Sequence, residues 1–254
     1  MHHRRPLAAL AAVAASLSLA ATAEAAFIRG TPAPDILRGT PADDRILAGA
    51  GADVAWGYQA NDVLRGWLGD DRLFGGQGLD RVFGGPGADR VHGGADDDRV
   101  HGGLGTDRVH GGAGDDVVRG GWADDVVIGG EGDDRVFGGV GQDRLFANRG
   151  ADRLHGGWGD DDLWALARAD VTPGANGEVD TVGDVLWGGP GNDTFHTRDG
   201  EVDRIHCGRG VDTVLADTVD KIRGKGCETV VRAEPQAAED APENAEEPDE
   251  EPAT

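Results

Sequence analysis

The stretch DRVHGGADDDRVHGGLGTDRVHGG, residues 89–112, returns to Asp-Arg-Val-His every nine residues. Taking GGLGTDRVH, Gly102 to His110, as positions one to nine sets the register for the rest of the chain. The sixth position is Asp35, Asp44, Asp53, Asp62, Asp71, Asp80, Asp89, Asp98, Asp107, Asp116, Asp125, Asp134, Asp143, Asp152 and Asp161, with no insertion. The eighth position runs from Leu37 and Ile46 through Val82, Val100 and Val118 to Leu154 and Leu163, and it is aliphatic throughout. A strict period sustained over that length marks a repeat architecture before any local propensity is weighed.

One apolar residue between two outward ones reads as a three-residue strand with a single inward side chain. Such a strand buries too little to stand alone, so it must stack on copies of itself as solenoids do. The first six positions are turn chemistry, with glycine at one, two and four supplying positive φ and close backbone approach. Two strands and two turns make an 18-residue coil, so Asp at i and i+18 lie about one strand spacing (~4.8 Å) apart. Ionised carboxylates stacked at that distance repel by roughly 1 kcal/mol per pair in water, and by more when desolvated. A shell of carboxylate and backbone carbonyl oxygens suits calcium, which takes six to eight hard donors at flexible geometry. Metal binding then becomes folding free energy.

These units resemble the hemolysin-type calcium-binding (RTX) nonapeptide, G-G-x-G-x-D-x-U-x. Full matches include GGQGLDRVF (75–83), GGPGADRVH (84–92), GGLGTDRVH (102–110), GGAGDDVVR (111–119), GGEGDDRVF (129–137), GGVGQDRLF (138–146), GGWGDDDLW (156–164) and GGPGNDTFH (188–196). The resemblance covers about 35–164 and resumes at 184–196. It implies an all-β parallel β-roll with calcium held between consecutive turns by the position-six Asp and turn carbonyls. The implied metal ligands are Asp71, Asp80, Asp89, Asp98, Asp107, Asp116, Asp125, Asp134, Asp143, Asp152, Asp161 and Asp193. Earlier units depart from the pattern: Thr40, Tyr58 and Trp67 replace the second glycine, and Ala42 and Ala60 the fourth. Asp96, Ala123 and Asn148 do the same later. Asp tolerates positive φ better than most residues, so the Asp96 turn is expected to survive with an altered site.

The ends and the composition bound the rest. Residues 1–25 pair a short basic start, Arg4 and Arg5, with an Ala/Leu-rich stretch ending Ala23-Glu24-Ala25. They read as a signal peptide and not a membrane helix, which makes the protein secreted and extracellular. Family members often carry an uncleaved C-terminal export signal instead. Removal leaves 22 basic and 46 acidic residues, a formal charge of −24 that repels nucleic acid and anionic membranes. The layout is a lead-in at 26–34, the roll at 35–164, a Pro/Gly/Asn loop insertion at 165–183, then final repeats and a cap at 184–232. An acidic tail at 233–254, without basic or large apolar residues, is expected to be disordered. Cys207 and Cys227, alone in an exported chain, read as one disulfide closing the cap. The rivals are two free thiols or two metal ligands.

Little in the chain points to catalysis. The mature sequence has no serine and no HExxH, and every paired carboxylate already has a place in the repeat. His92 and His110 fall on one face and His101 on the other. They read as solvated side chains, since zinc needs three or four ligands. The position-seven arginines (Arg72, Arg81, Arg90, Arg99, Arg108, Arg135, Arg144 and Arg153) are expected to offset the acidic turns. Outward aromatics at position nine (Trp56, Phe74, Phe83, Phe137, Phe146 and Trp164) support a second reading, a calcium-dependent adhesin for carbohydrate or cell-surface partners. The leading expectation is a non-enzymatic calcium-binding protein, structural or interactive in role, whose roll folds on calcium.

Overall fold

The computed structural model describes residues 24–165, 183–223 and 226–233. The expected signal peptide, most of the loop insertion and nearly all of the acidic tail lie outside them. Twenty-two strands, from Phe27–Arg29 to Thr229–Arg232, are dealt alternately into two parallel sheets of eleven. We call the sheet that starts with Phe27–Arg29 the first and the one that starts with Ile36–Arg38 the second.

Within each sheet the pairing steps by one coil. Val109 sits opposite Val91 and Val127, and Val118 opposite Val100 and Val136. The eighth position of every coil points between the sheets and packs into one continuous aliphatic column, including Ile46, Leu64, Val82, Val109, Leu145 and Leu163, all fully buried. The column fixes the register, because slipping one residue would replace an aliphatic side chain inside with an outward one.

Strands are longer than the sequence suggests. Most span six residues, as in Arg90–Ala95, because positions one to three continue the ladder. Gly94 stays in register with Gly76 and Gly112 at φ +130°, so the position-two glycine is paired strand and not turn. Only positions four to six turn the chain. The lead-in is likewise already part of the roll, since Phe27–Arg29 pairs with Arg45–Leu47.

The loop insertion leaves the column unbroken: Leu154 pairs with Leu186 and Leu163 with Phe195 across it. The closing segment takes the form of further coils. Leu186 pairs with Ile205 and Ile205 with Ile222, steps of unequal length that keep the inward side chain aligned. Cys207 is bonded to Cys227 with Cα atoms 5.5 Å apart. This ties the last coils together.

Candidate metal sites

Each position-six Asp from Asp44 onward is buried at the corner where a turn enters a strand. Its backbone carbonyl accepts the position-seven amide one coil later, as in Arg108 N–H to Asp89 O at 2.8 Å. Its Oδ1 accepts the amide of the Asp one coil earlier: Asp71 N–H to Asp89 Oδ1 at 2.8 Å, and Asp89 N–H to Asp107 Oδ1 at 2.8 Å. Asp143 N–H to Asp161 Oδ1 continues this ladder, and Asp134 N–H to Asp152 Oδ1 belongs to a second ladder on the other set of turns. Both cross the insertion, through Asp161 N–H to Asp193 Oδ1 and Asp152 N–H to Asp184 Oδ1. One carboxylate oxygen of each Asp therefore builds the stack.

The other oxygen has no such use. Oδ2 is buried without a hydrogen-bond partner at every position-six Asp from Asp53 to Asp143, and again at Asp161, Asp193, Asp203 and Asp212. It faces a small gap between coils. A methyl built on Gly84 would strike Asp89 Oδ2 and stand 2.6 Å from the Gly102 carbonyl of the next coil, and Gly66 and Gly138 show the same arrangement. Glycine at position one leaves that gap open, and Ala48 and Ala147 narrow it in two coils. Among the described residues no three His, Cys, Asp or Glu side chains converge. Any ion here is held by single carboxylates and backbone carbonyls, a hard oxygen set that fits calcium and suits soft metals poorly.

Burial drives the electrostatics. Desolvation pushes Asp62, Asp71, Asp80, Asp89, Asp107 and Asp116 up to about 7, against the opposing pull of the amide bond. Asp98, Asp125 and Asp161 rise to about 8, with carboxylates on adjacent coils adding to burial. Asp134 reaches about 9 for the same two reasons. Without a cation these sites favour the protonated acid.

The ends of the row differ. Thr31 donates both its amide, at 2.5 Å, and its hydroxyl, at 2.9 Å, to Asp35 Oδ2. The Thr40 amide caps Asp44 Oδ2, and its hydroxyl reaches Asp44 Oδ1 at 3.0 Å. At the far end Asp220 Oδ2 accepts the Thr197 hydroxyl at 2.8 Å and the Asp217 amide at 3.0 Å. Glu228 takes the place of a further Asp, accepting the Asp212 amide at 2.9 Å. Side chains satisfy at both ends what the middle leaves open.

Several expectations change. Asp53, Asp62, Asp203 and Asp212 present the same orphaned oxygen as the residues singled out from sequence; the nine-residue Asp series itself was the signal. Most degenerate turns keep the positive φ of the repeat, with Tyr58, Ala60, Trp67, Ala123 and Asn148 all between 72 and 84°, whereas Thr40 and Ala42 do not. Asp96 keeps it at 78°, its Oδ2 accepting the Gly78 amide at 3.2 Å. Its charge also helps to raise Asp80 and Asp98.

The position-nine row is not a solvated face. In the second sheet Trp56, Phe74, Phe146 and Trp164 are buried, and Trp56 stacks on Phe74 at 5.8 Å. Rows one coil apart cover one another. His92 and His110 meet edge to face at 4.6 Å, and burial lowers them to about 4 and about 3, His92 adding to the shift of His110. The most exposed aromatics are Phe27, at position seven of the first strand, and Trp67, Trp122 and Trp158, at positions two and three.

A family model described as the RTX calcium-binding nonapeptide repeat, four copies long, matches residues 29–64, 38–73, 47–82, 74–109, 101–136, 137–171 and 183–202. No curated protein matches the chain. The matched segments span more than half of it, and they coincide with the coils that carry the orphaned carboxylates: the chain belongs to the RTX calcium-binding nonapeptide repeat family.

Proposed function

We propose that this is an exported, non-enzymatic calcium-binding protein whose roll assembles when calcium enters the gaps between coils. The observation that carries the reading is the set of buried, unpartnered Asp Oδ2 atoms, which in coils such as those of Asp71, Asp89 and Asp143 share a gap with a backbone carbonyl of the next coil. A divalent ion there turns repulsion between stacked carboxylates into coordination. The Thr-capped coils at the start and the Thr197–Asp220 contact at the close need no metal by this logic, so occupancy begins at Asp53 and ends by Asp212. The N-terminal basic and apolar stretch supports export, into surroundings where calcium lies near the ~0.1–1 mM range typical of extracellular modules.

Circular dichroism in EDTA and in millimolar calcium tests the coupling. A β-rich spectrum appearing only with calcium is the expected result; a spectrum already β-rich and unchanged in EDTA would end the reading. Native mass spectrometry then counts the ions. Occupancy confined to a few coils would contradict an uninterrupted row.

A further inference from the structure

The two sheets present different outer surfaces. Along each strand positions seven, nine and two face outward, and position two is usually glycine. That leaves an empty lane running along the roll between the position-nine and position-three side chains. In the first sheet Gly85, Gly103, Gly121, Gly139 and Gly157 form the floor of this lane. One wall is the position-nine row, where Phe137, His155 and Trp187 stack at 5.1 and 4.3 Å. The other wall is the position-three row: Pro86, Leu104, Trp122, Val140 and Trp158. Trp122 is 61 % exposed and Trp158 68 %. A cavity of about 480 Å³ opens in the lane between Phe83, His101, Leu104 and Trp122. Trp67, at position two, stands where the next floor glycine would be. In the second sheet the position-three residues are Gln59, Gln77, Ala95, Ala113 and Glu131, which make no apolar wall.

We infer that this lane is a binding groove for an extended, uncharged polysaccharide, in a reading that rests on the calcium-assembled roll. Exposed apolar surface of this extent on a soluble protein marks an interaction site, and three exposed Trp put it beyond scattered exposure. The occupant follows from three features. The groove crosses the strands, whose backbone groups are already paired along the stack, so an extended peptide finds no sheet edge to join. Its repeat is one coil, about 4.8 Å, and a pyranose in an extended β-linked chain advances by roughly that distance. One sugar per coil keeps the chain in step with the roll, with Trp122 and Trp158, two coils apart, meeting alternate sugars. The turns beyond the apolar wall carry Thr106, Asp124, Gln142 and Asp160 at position five, polar groups suited to sugar hydroxyls. The formal charge of −23 argues against a polyanion.

Cellohexaose and chitohexaose are the probes, titrated into the full chain and followed by tryptophan fluorescence and calorimetry, in calcium and in EDTA. Binding of either in calcium alone is expected. Trp122→Ala and Trp158→Ala should each weaken it by about tenfold, because an exposed aromatic anchor is lost while the fold stands. Circular dichroism on the same samples separates the two ideas. If calcium does not order the chain, the calcium reading has failed. If the roll is ordered and neither probe binds, or both variants bind undiminished, the groove has failed. Sedimentation supplies a further outcome: a doubled mass abolished by Trp158→Ala would give the groove to a second copy of the chain and overturn the proposal.

Discussion

Calcium removal at two pH values tests the central argument most severely. More than a dozen buried Oδ2 atoms lack a partner. A buried acceptor left unsatisfied costs about 1–3 kcal/mol, and more when charged. Over the whole row this reaches tens of kcal/mol, against a typical net stability of about 5–15 kcal/mol. On the proposed reading, the metal-free roll with ionised carboxylates is therefore expected to unfold. Protons offer a substitute for the metal. The folded carboxylates titrate from about 6, at Asp143 and Asp193, to about 9, at Asp134, against 3.8 for the free acid. Between those limits the folded chain binds more protons than the unfolded one. The stability that protonation gives is complete below 3.8 and is lost as pH climbs through 6 to 9. His92, His101, His110 and His155 oppose this, since burial lowers all four and favours folding as pH rises toward 6.5. Four imidazoles are outnumbered by the carboxylates, so the acid side wins. Thermal melts by circular dichroism in EDTA should show ordered β-structure at pH 4.5 and its loss at pH 8, with millimolar calcium restoring it at pH 8. Metal-free stability that rises with pH, or equal melting temperatures with and without calcium at pH 8, would refute the reasoning.

Thr40→Val removes the hydroxyl bond to Asp44 and should cost about 1 kcal/mol without changing the calcium count by native mass spectrometry; Asp134→Asn should lower the count. Gly103→Ala places a methyl against the Gly85 carbonyl at φ +134°, and a loss of about 1–3 kcal/mol is expected in calcium-loaded melts. Trp67→Gly relieves a positive φ of 80° in a half-exposed side chain, so the same melts should show a gain of about 0.5–1 kcal/mol. Cys227→Ser opens a 20-residue loop and should cost roughly 3 kcal/mol, read as fraying of Lys221–Arg223 and Thr229–Arg232 by hydrogen exchange.

The inward half of this fold was legible because from Asp35 to Leu163 it obeys a rule with no exceptions: position eight is aliphatic and position six Asp, and both stand out from one sequence. The outward half was not, because alternation says which way a side chain points and nothing about what covers it. Trp56 and Phe74 face outward and are nonetheless buried, since rings one coil apart shield each other. Strand length was underestimated for a related reason. Glycine reads as turn, but at φ near +130° it stays extended and remains in the ladder. The Thr caps stand in the sequence as GTPAPD and GTPADD, but Thr40 read only as a degenerate glycine position and Thr31 drew no reading. Only the bonds from Thr31 and Thr40 to the carboxylates show threonine satisfying oxygens that are left without a partner at most later coils.

That substitution bears on how such a stack starts. Each Asp is committed in two directions: Oδ1 to the amide of the coil before, Oδ2 to the gap before the coil after. A coil is therefore complete only when both neighbours are present, and stability in such arrays resides mainly in the interfaces between repeats. A roll built solely of metal-dependent coils would need several of them ordered, with their ions, before any interface repaid the lost chain entropy. The first two turns escape this, because Asp35 and Asp44 are satisfied within their own hexapeptides. They can close locally, and the Asp35 amide then reaches Asp53 Oδ1 at 2.8 Å and sets its register. Since a slip of one residue would bring an outward side chain into the aliphatic column, a metal-free end that fixes the first register has consequences for every later coil. If the later coils assemble with calcium as proposed, the Thr-Pro-Ala turns are placed to act as their template, since their carboxylates are satisfied without an ion.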